Sequence, residues 1–170
     1  MPDGSHDIEI IFQDDRWRKI SGVRQLACNM VNAAIEYTGY GASKGYSFSG
    51  SVLLTNDKAI CALNHDFRGK NKPTNILSFP AYNGKIEENL YLAKQPGGLA
   101  LGDMALAYET IEKEAKDQGK TMLKHTAHLC LHGVLHLLGF DHENEGEASM
   151  MEDVEIRILS AYRIANPYMI

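Results

Sequence analysis

LHGVLHLLGFDH, residues 131–142, places histidines at 132, 136 and 142 around a glycine at 139. Four residues along an α-helix turn the chain by about 400° and advance it about 6 Å, so His132 and His136 project from one face. A third ligand from the same helix would point away, and the chain must therefore turn back. Gly139 supplies that turn, because just past a helix end it takes the left-handed conformation that other residues resist. His142 then lies on the returning segment and can close a three-histidine site. Three neutral imidazoles suit one zinc-type ion, or another divalent ion that accepts imidazole, with a coordination position left for water. That is the arrangement of a catalytic site rather than a structural one.

The order H-x-x-x-H-x-x-G-x-x-H is also the spacing of the metzincin proteases without their glutamate. Gly133 stands where those enzymes carry it. A peptidase of that design needs a carboxylate to take a proton from water and pass it to the leaving amine, and glycine cannot do this. Met150 and Met151 fall in an expected helix, so the methionine turn of those proteases is not evident either. Gly133 is expected instead to leave open space beside the metal, where a phosphate or ribose could approach. His125 and His128 extend the histidine stripe upstream and are expected to pack or to orient ligands. His6 and His65 stand outside the pattern.

Working outward from this helix, strands are expected at 7–13 (DIEIIFQ), 46–54 (YSFSGSVLL), 75–80 (NILSFP) and 99–107 (LALGDMALA). Apolar residues recur at helical spacing from Lys19 to Tyr37, and Asn56 or Asp57 caps a short helix carrying Ile60, Leu63 and Phe67. Further helices are expected over Glu109–Gln118, Met122–Leu138 and Glu147–Tyr162. Segment 81–97 reads as an irregular excursion, a loop or a flap. The mixture predicts one α+β domain over residues 1–170, a small mixed sheet packed against helices with the metal-binding helix at its centre.

The chain of 170 residues carries a formal charge of −5, unevenly spread. Residues 1–15 hold five acids and no Lys or Arg, residues 16–72 hold nine Lys/Arg against three acids, and residues 73–170 hold eight against fourteen. The first half of the chain can therefore present a basic surface to an acidic partner. Three widely spaced cysteines fit neither a disulfide framework nor a C-x-x-C site, and MPDGSHDIEI shows no basic, apolar-cored leader. No apolar run approaches the length of a membrane span. A cytoplasmic protein with reduced thiols and no membrane association is expected.

FRGKNKPTNILSFP (67–80) opens with Arg68, Lys70 and Lys72 and runs into a strand. A guanidinium fork matches two phosphate oxygens, and nearby lysines add point charges. The segment reads as a phosphate clamp held beside the metal, or as a solvated basic turn.

HGVLHLLGFDH, the upstream HTAH, LNHDFRGKNKPTNILSFP, LGDMALAYETIEKEA and the NPY at 166–168 together resemble the YbeY-type endoribonucleases. The resemblance runs from about Asp57 to Tyr168. It implies a zincin-like α+β domain, a zinc-type ion on His132, His136 and His142, and an essential arginine at Arg68. It also implies single-strand-specific cleavage of RNA in 16S rRNA 3′-end maturation and ribosome quality control, with the rRNA precursor and the ribosome as partners. Two positions depart from the usual pattern: Phe140 stands for a tyrosine and Asn71 for an aspartate.

Phosphodiester chemistry also makes sense of the missing glutamate. Its difficulty is negative charge gathering on phosphoryl oxygens, which a metal and an arginine both stabilise. Zinc brings the pKa of its water near 7, so a dedicated base is dispensable, whether the attack comes from water or from a ribose 2′-OH. Asp141 reads either as a proton relay or as a residue that orients an imidazole or caps the turn. Two other readings stay open: a ribosome-associated binding factor with a structural metal, and a metal-dependent hydrolase of a non-RNA substrate.

Overall fold

Strand β1 (Asp7–Phe12) begins the architecture with an alternating pattern that turns Ile8, Ile10 and Phe12 inward. The computed structural model describes residues 6–169, so the leaderless reading of the first residues lies partly outside it. β2 (Phe48–Thr55) and β4 (Leu99–Ala107) follow, with β3 (Ile76–Pro80) between them in sequence. Among the described residues the strands form one mixed sheet in the order β1-β2-β4-β3, with β3 antiparallel on the edge and the other pairs parallel. β4 reads LALGDMALA, nearly continuous in apolar residues, because it is internal to the sheet and helices cover much of both faces.

Helices α1 (Val23–Tyr37) and α5 (Met122–Leu137) pack together and cover one face of the sheet. Helix α2 (Asp57–Arg68) covers part of the other, where Ile60 meets Leu77, Ala105 and Ala107. Helices α4 (Tyr108–Asp117) and α6 (Glu145–Ala161) flank α5. The expected α+β class and the histidine helix on a small sheet both hold. None of the helices among the described residues is long and apolar enough to cross a membrane.

Three expectations need correction, two of them in secondary structure. The helix read from Lys19 begins only at Val23, preceded by a 3-10 turn over Asp15–Lys19. That turn buries Trp17 completely and lets its indole N–H donate to the Thr55 carbonyl at 2.8 Å. Segment 81–97 is not irregular throughout, for it contains α3 (Ile86–Ala93), anchored by the buried Ile86 and Ala93. Asn83-Gly84 before it and Pro96-Gly97-Gly98 after it dominate the sequence signal and mask eight helical residues.

Gly133 lines the histidine cleft, but the direction its side chain would take is not open. A Cβ at this position would stand 2.6 Å from Ile76 Cδ1, 2.6 Å from Met104 Sδ and 3.1 Å from Ser78 Oγ. The glycine is where α5 lies down on β3 and β4, and its missing side chain sets that close approach. A glutamate there is expected to lower stability by about 1–3 kcal/mol, through overpacking against Ile76 and Met104. Urea unfolding of Gly133→Glu checks this, and a midpoint equal to wild type would show that Ile76 and Met104 yield to a side chain there.

Candidate metal centre

Helix α5 is capped by Thr121, whose hydroxyl accepts from the Lys124 N–H at 3.2 Å, and its long buried face fixes its roll on the sheet. That roll aims His132 and His136 outward into a cleft of about 470 Å³. His132 Nδ1 lies 2.6 Å from Glu155 Oε1, and His136 Nδ1 lies 3.0 Å from the Phe140 carbonyl oxygen. Each Nδ1 faces an acceptor and so carries the ring proton, which leaves both Nε2 atoms as lone-pair donors. These two Nε2 atoms face each other at 3.0 Å. Two acceptor nitrogens at that distance repel unless a cation or a proton lies between them. Two imidazole ligands on a tetrahedral zinc ion stand about 3.3 Å apart, so the spacing is close to what the ion requires.

His142 completes the group. Its ring centroid lies 5.7 Å from that of His132 and 4.9 Å from that of His136, and one ligand atom from each of the three falls within 4.8 Å of the others. Gly139 makes the turn with φ 99°, its N–H bonding the His136 carbonyl at 3.0 Å, and the Phe140 N–H bonds the Leu135 carbonyl at 2.9 Å. Asp141 Oδ1 accepts from the His142 backbone N–H at 2.7 Å, and its nearest approach to the His142 ring is 3.7 Å. It therefore caps the returning segment and lies beside the third imidazole. The Phe140 side chain packs on the core while its carbonyl holds His136, so that contact needs no tyrosine hydroxyl. Burial, and then the neighbouring His132, hold His136 below the ordinary histidine range, so it is neutral and available as a ligand at neutral pH.

Two residues beside these ligands, Glu155 and Tyr168, are not singled out by the sequence pattern. Glu155 on α6 is fully buried, with Oε1 on His132 and Oε2 3.3 Å from His128 Nε2. The Tyr168 hydroxyl donates to the same Oε2 and lies 3.4 Å from His128 Nε2. Burial pushes the Glu155 carboxyl up, but hydrogen bonds from His128, His132 and Tyr168 outweigh it and hold the group at about 2. A signal was available: Glu155 interrupts the apolar stripe Met151, Val154, Ile158, Leu159 of α6, where a solvated glutamate has no place. His128 lines the cleft, whereas His125 is buried and bonded through Nε2 to Glu114 at 2.8 Å, a packing residue as expected.

Arg68 reaches the same cleft. It ends α2, Gly69 turns the chain in the left-handed region, and Arg68 joins the three histidines, Ser78 and Tyr168 in lining the walls. Lys70 and Lys72 follow on the exposed turn and do not line the cleft. The turn itself is held: the Lys70 N–H donates to the Asn64 carbonyl at 3.2 Å, and the buried Asn64 amide donates to the Lys72 carbonyl at 2.8 Å.

Comparison with known proteins identifies the family. The family model described as Endoribonuclease YbeY matches residues 11–163. A Rhodospirillum rubrum protein named Endoribonuclease YbeY is 48% identical over 152 residues, covering 88% of this chain and 74% of its own. Proteins of the same name from Rhodopseudomonas palustris and Paracoccus denitrificans are 40% and 39% identical, covering 94% and 95% of this chain and 80% and 90% of theirs. The solution structure of TM1509 from Thermotoga maritima is similar in fold, with a TM-score of 0.54 at 22% identity, covering 92% of this chain and 91% of that one. With a matching model across most of its length and relatives this near, the chain belongs to the Endoribonuclease YbeY family.

Proposed function

We propose that this protein is a metal-dependent, single-strand-specific endoribonuclease of 16S rRNA 3′-end maturation and ribosome quality control, working in the cytoplasm on the rRNA precursor and the ribosome. Residues 1–170 act as one hydrolase domain, and the ion is zinc on His132, His136 and His142. The observation that carries this reading is the meeting of the three-histidine group with Arg68 in one open cleft. The relatives named as endoribonucleases support the substrate class.

When bound, the ion supplies Lewis acidity toward a phosphoryl oxygen and acidifies a water. The chain supplies the rest. Arg68 offers its planar fork to the phosphate oxygens from the α2 side of the cleft, opposing the charge that gathers there. Glu155 and the Phe140 carbonyl hold the His132 and His136 rings in the orientation that presents Nε2. Lys70 and Lys72, on their pinned turn, raise the local concentration of a polyanion at the approach to Arg68. No side chain at position 133 handles protons, and the chemistry proceeds without one.

Cleavage of a labelled single-stranded RNA by wild type and by His136→Ala, purified side by side, tests the reading. Metal content and far-UV circular dichroism are recorded on the same samples. The expected result is cutting by the wild type alone, with a variant that stays folded and loses its metal. Unfolding on metal loss identifies a structural ion, and equal cutting by both proteins removes the site from the chemistry.

A further inference from the structure

Phe67 is 68% exposed, on the last turn of α2, immediately before the arginine of the cleft. It is not loose. Its ring meets Phe79 edge to face, with centroids 5.3 Å apart and planes at 62°. Phe79 belongs to β3, between Ser78 and Pro80, both of which line the cleft. The strand's alternation turns Ser78 toward the histidines and Phe79 toward α2. Phe67 therefore sits across the edge strand from the metal centre, held by one edge contact and otherwise open to solvent.

Its surroundings are those of a polyanion track. Arg68, Lys70 and Lys72 follow within five residues, on the turn that Asn64 pins. The acid next to Phe67 in sequence, Asp66, lies 3.3 Å from His65 Nδ1. An exposed aromatic face beside ordered cations matches the way proteins hold unpaired nucleic acid, with bases on aromatic faces and phosphates on basic groups.

We propose that Phe67 is a stacking platform for an unpaired nucleobase, one nucleotide removed from the phosphate that Arg68 grips. The proposal rests on the ribonuclease reading for the identity of the ligand as RNA. Neighbouring side chains on a helix end are separated by roughly the reach of one nucleotide step, so a strand passing over edge strand β3 presents a phosphate to Arg68 and a base to Phe67 in succession. A base inside a duplex cannot reach the ring, because both its faces are already stacked. The platform thus gives single-strand selectivity without reading sequence, since every base has a π-face.

The test is fluorescence anisotropy with a labelled single-stranded RNA, using zinc-loaded wild type, Phe67→Ala and Phe67→Tyr. Base–aromatic stacking predicts weaker binding by Phe67→Ala, about 5- to 150-fold, and binding within about twofold of wild type by Phe67→Tyr. Affinity for a duplex of the same sequence stays unchanged. An abasic site moved along the strand is expected to weaken wild-type binding at one position and to have no effect there on Phe67→Ala. Circular dichroism and metal content serve as controls, because the side chain is exposed and far from the ligands in sequence. Unchanged single-strand affinity in Phe67→Ala, or a loss shared equally by duplex and single strand, overturns the platform. Cleavage is read separately on the same proteins. Phe67-dependent binding without cleavage keeps the platform and sinks the ribonuclease reading, and cleavage with no Phe67 dependence does the reverse.

Discussion

Glu155→Ala is expected to weaken zinc binding about 10- to 100-fold, although Glu155 is not one of the three proposed ligands. The carboxylate accepts from His132 Nδ1 at 2.6 Å, and without it that ring loses both its tautomer and its orientation. It is completely buried, yet among the described residues its ionic contacts are imidazoles and not a lysine or arginine. A buried negative charge held by three hydrogen bonds, with no lysine or arginine beside it, keeps an unmatched full charge that favours a dication nearby. Removing it takes away the charge that the metal meets in the protein interior and strips an acceptor from His128, His132 and Tyr168 together. The metal-free protein is also expected to lose about 2–4 kcal/mol, because several donors to one charged acceptor lose it at once. Competition with a chelator of known affinity measures the first effect, and urea unfolding of the stripped protein the second. Glu155→Gln keeps the volume and can still accept from His132, so it should fall between the two. A zinc affinity for Glu155→Ala equal to wild type would show that the ring is held by α5 alone.

The centre is thus assembled from three separate parts of the chain, and this determines how much of it a reader of the sequence can find. His132, His136, Gly139 and His142 are legible because their geometry is local: a helix repeat, a left-handed turn and a return. The strands and most helices are legible for the same reason, as alternation and helical spacing act within one element. Glu155 and Tyr168 are not, because their role exists only once α6 and the segment after it fold back over α5. Gly133 shows the limit of such local reading, since it lines the cleft and yet packs on the sheet. Its neighbour in sequence is a proposed ligand, but its neighbours in space are Ile76 and Met104 of the sheet. The helix period puts residue 133 about 100° from residue 132, and only the packing shows what lies on that side. α3 was hidden by its glycine- and proline-rich flanks, whose local preference outweighed eight residues of helix.

Arg68→Ala is expected to lower kcat/KM for a single-stranded RNA by about 10²–10³, with metal content and fold unchanged. The side chain ends α2 on an exposed turn, and surface substitutions of this kind shift stability by about 0.5 kcal/mol or less. Its position among the walls of the histidine cleft puts a permanent positive charge where the proposed function places phosphoryl oxygens. A phosphodiester already carries negative charge in the ground state, so part of the attraction acts on binding and appears in KM. The larger part grows as charge gathers in the transition state, and the loss is therefore expected mainly in kcat. Arg68→Lys keeps the charge and gives up the planar fork, and its loss should be nearer tenfold, since a point charge cannot meet two oxygens in parallel. Single-turnover cleavage at saturating protein separates the two contributions. A loss confined to KM would make Arg68 a tether for the strand, equivalent to Lys70 and Lys72, and leave the metal centre alone to stabilise the transition state. A loss in kcat that lysine restores only in part assigns the fork to the reacting phosphate, because no uniform attraction to the RNA distinguishes one cation from the other.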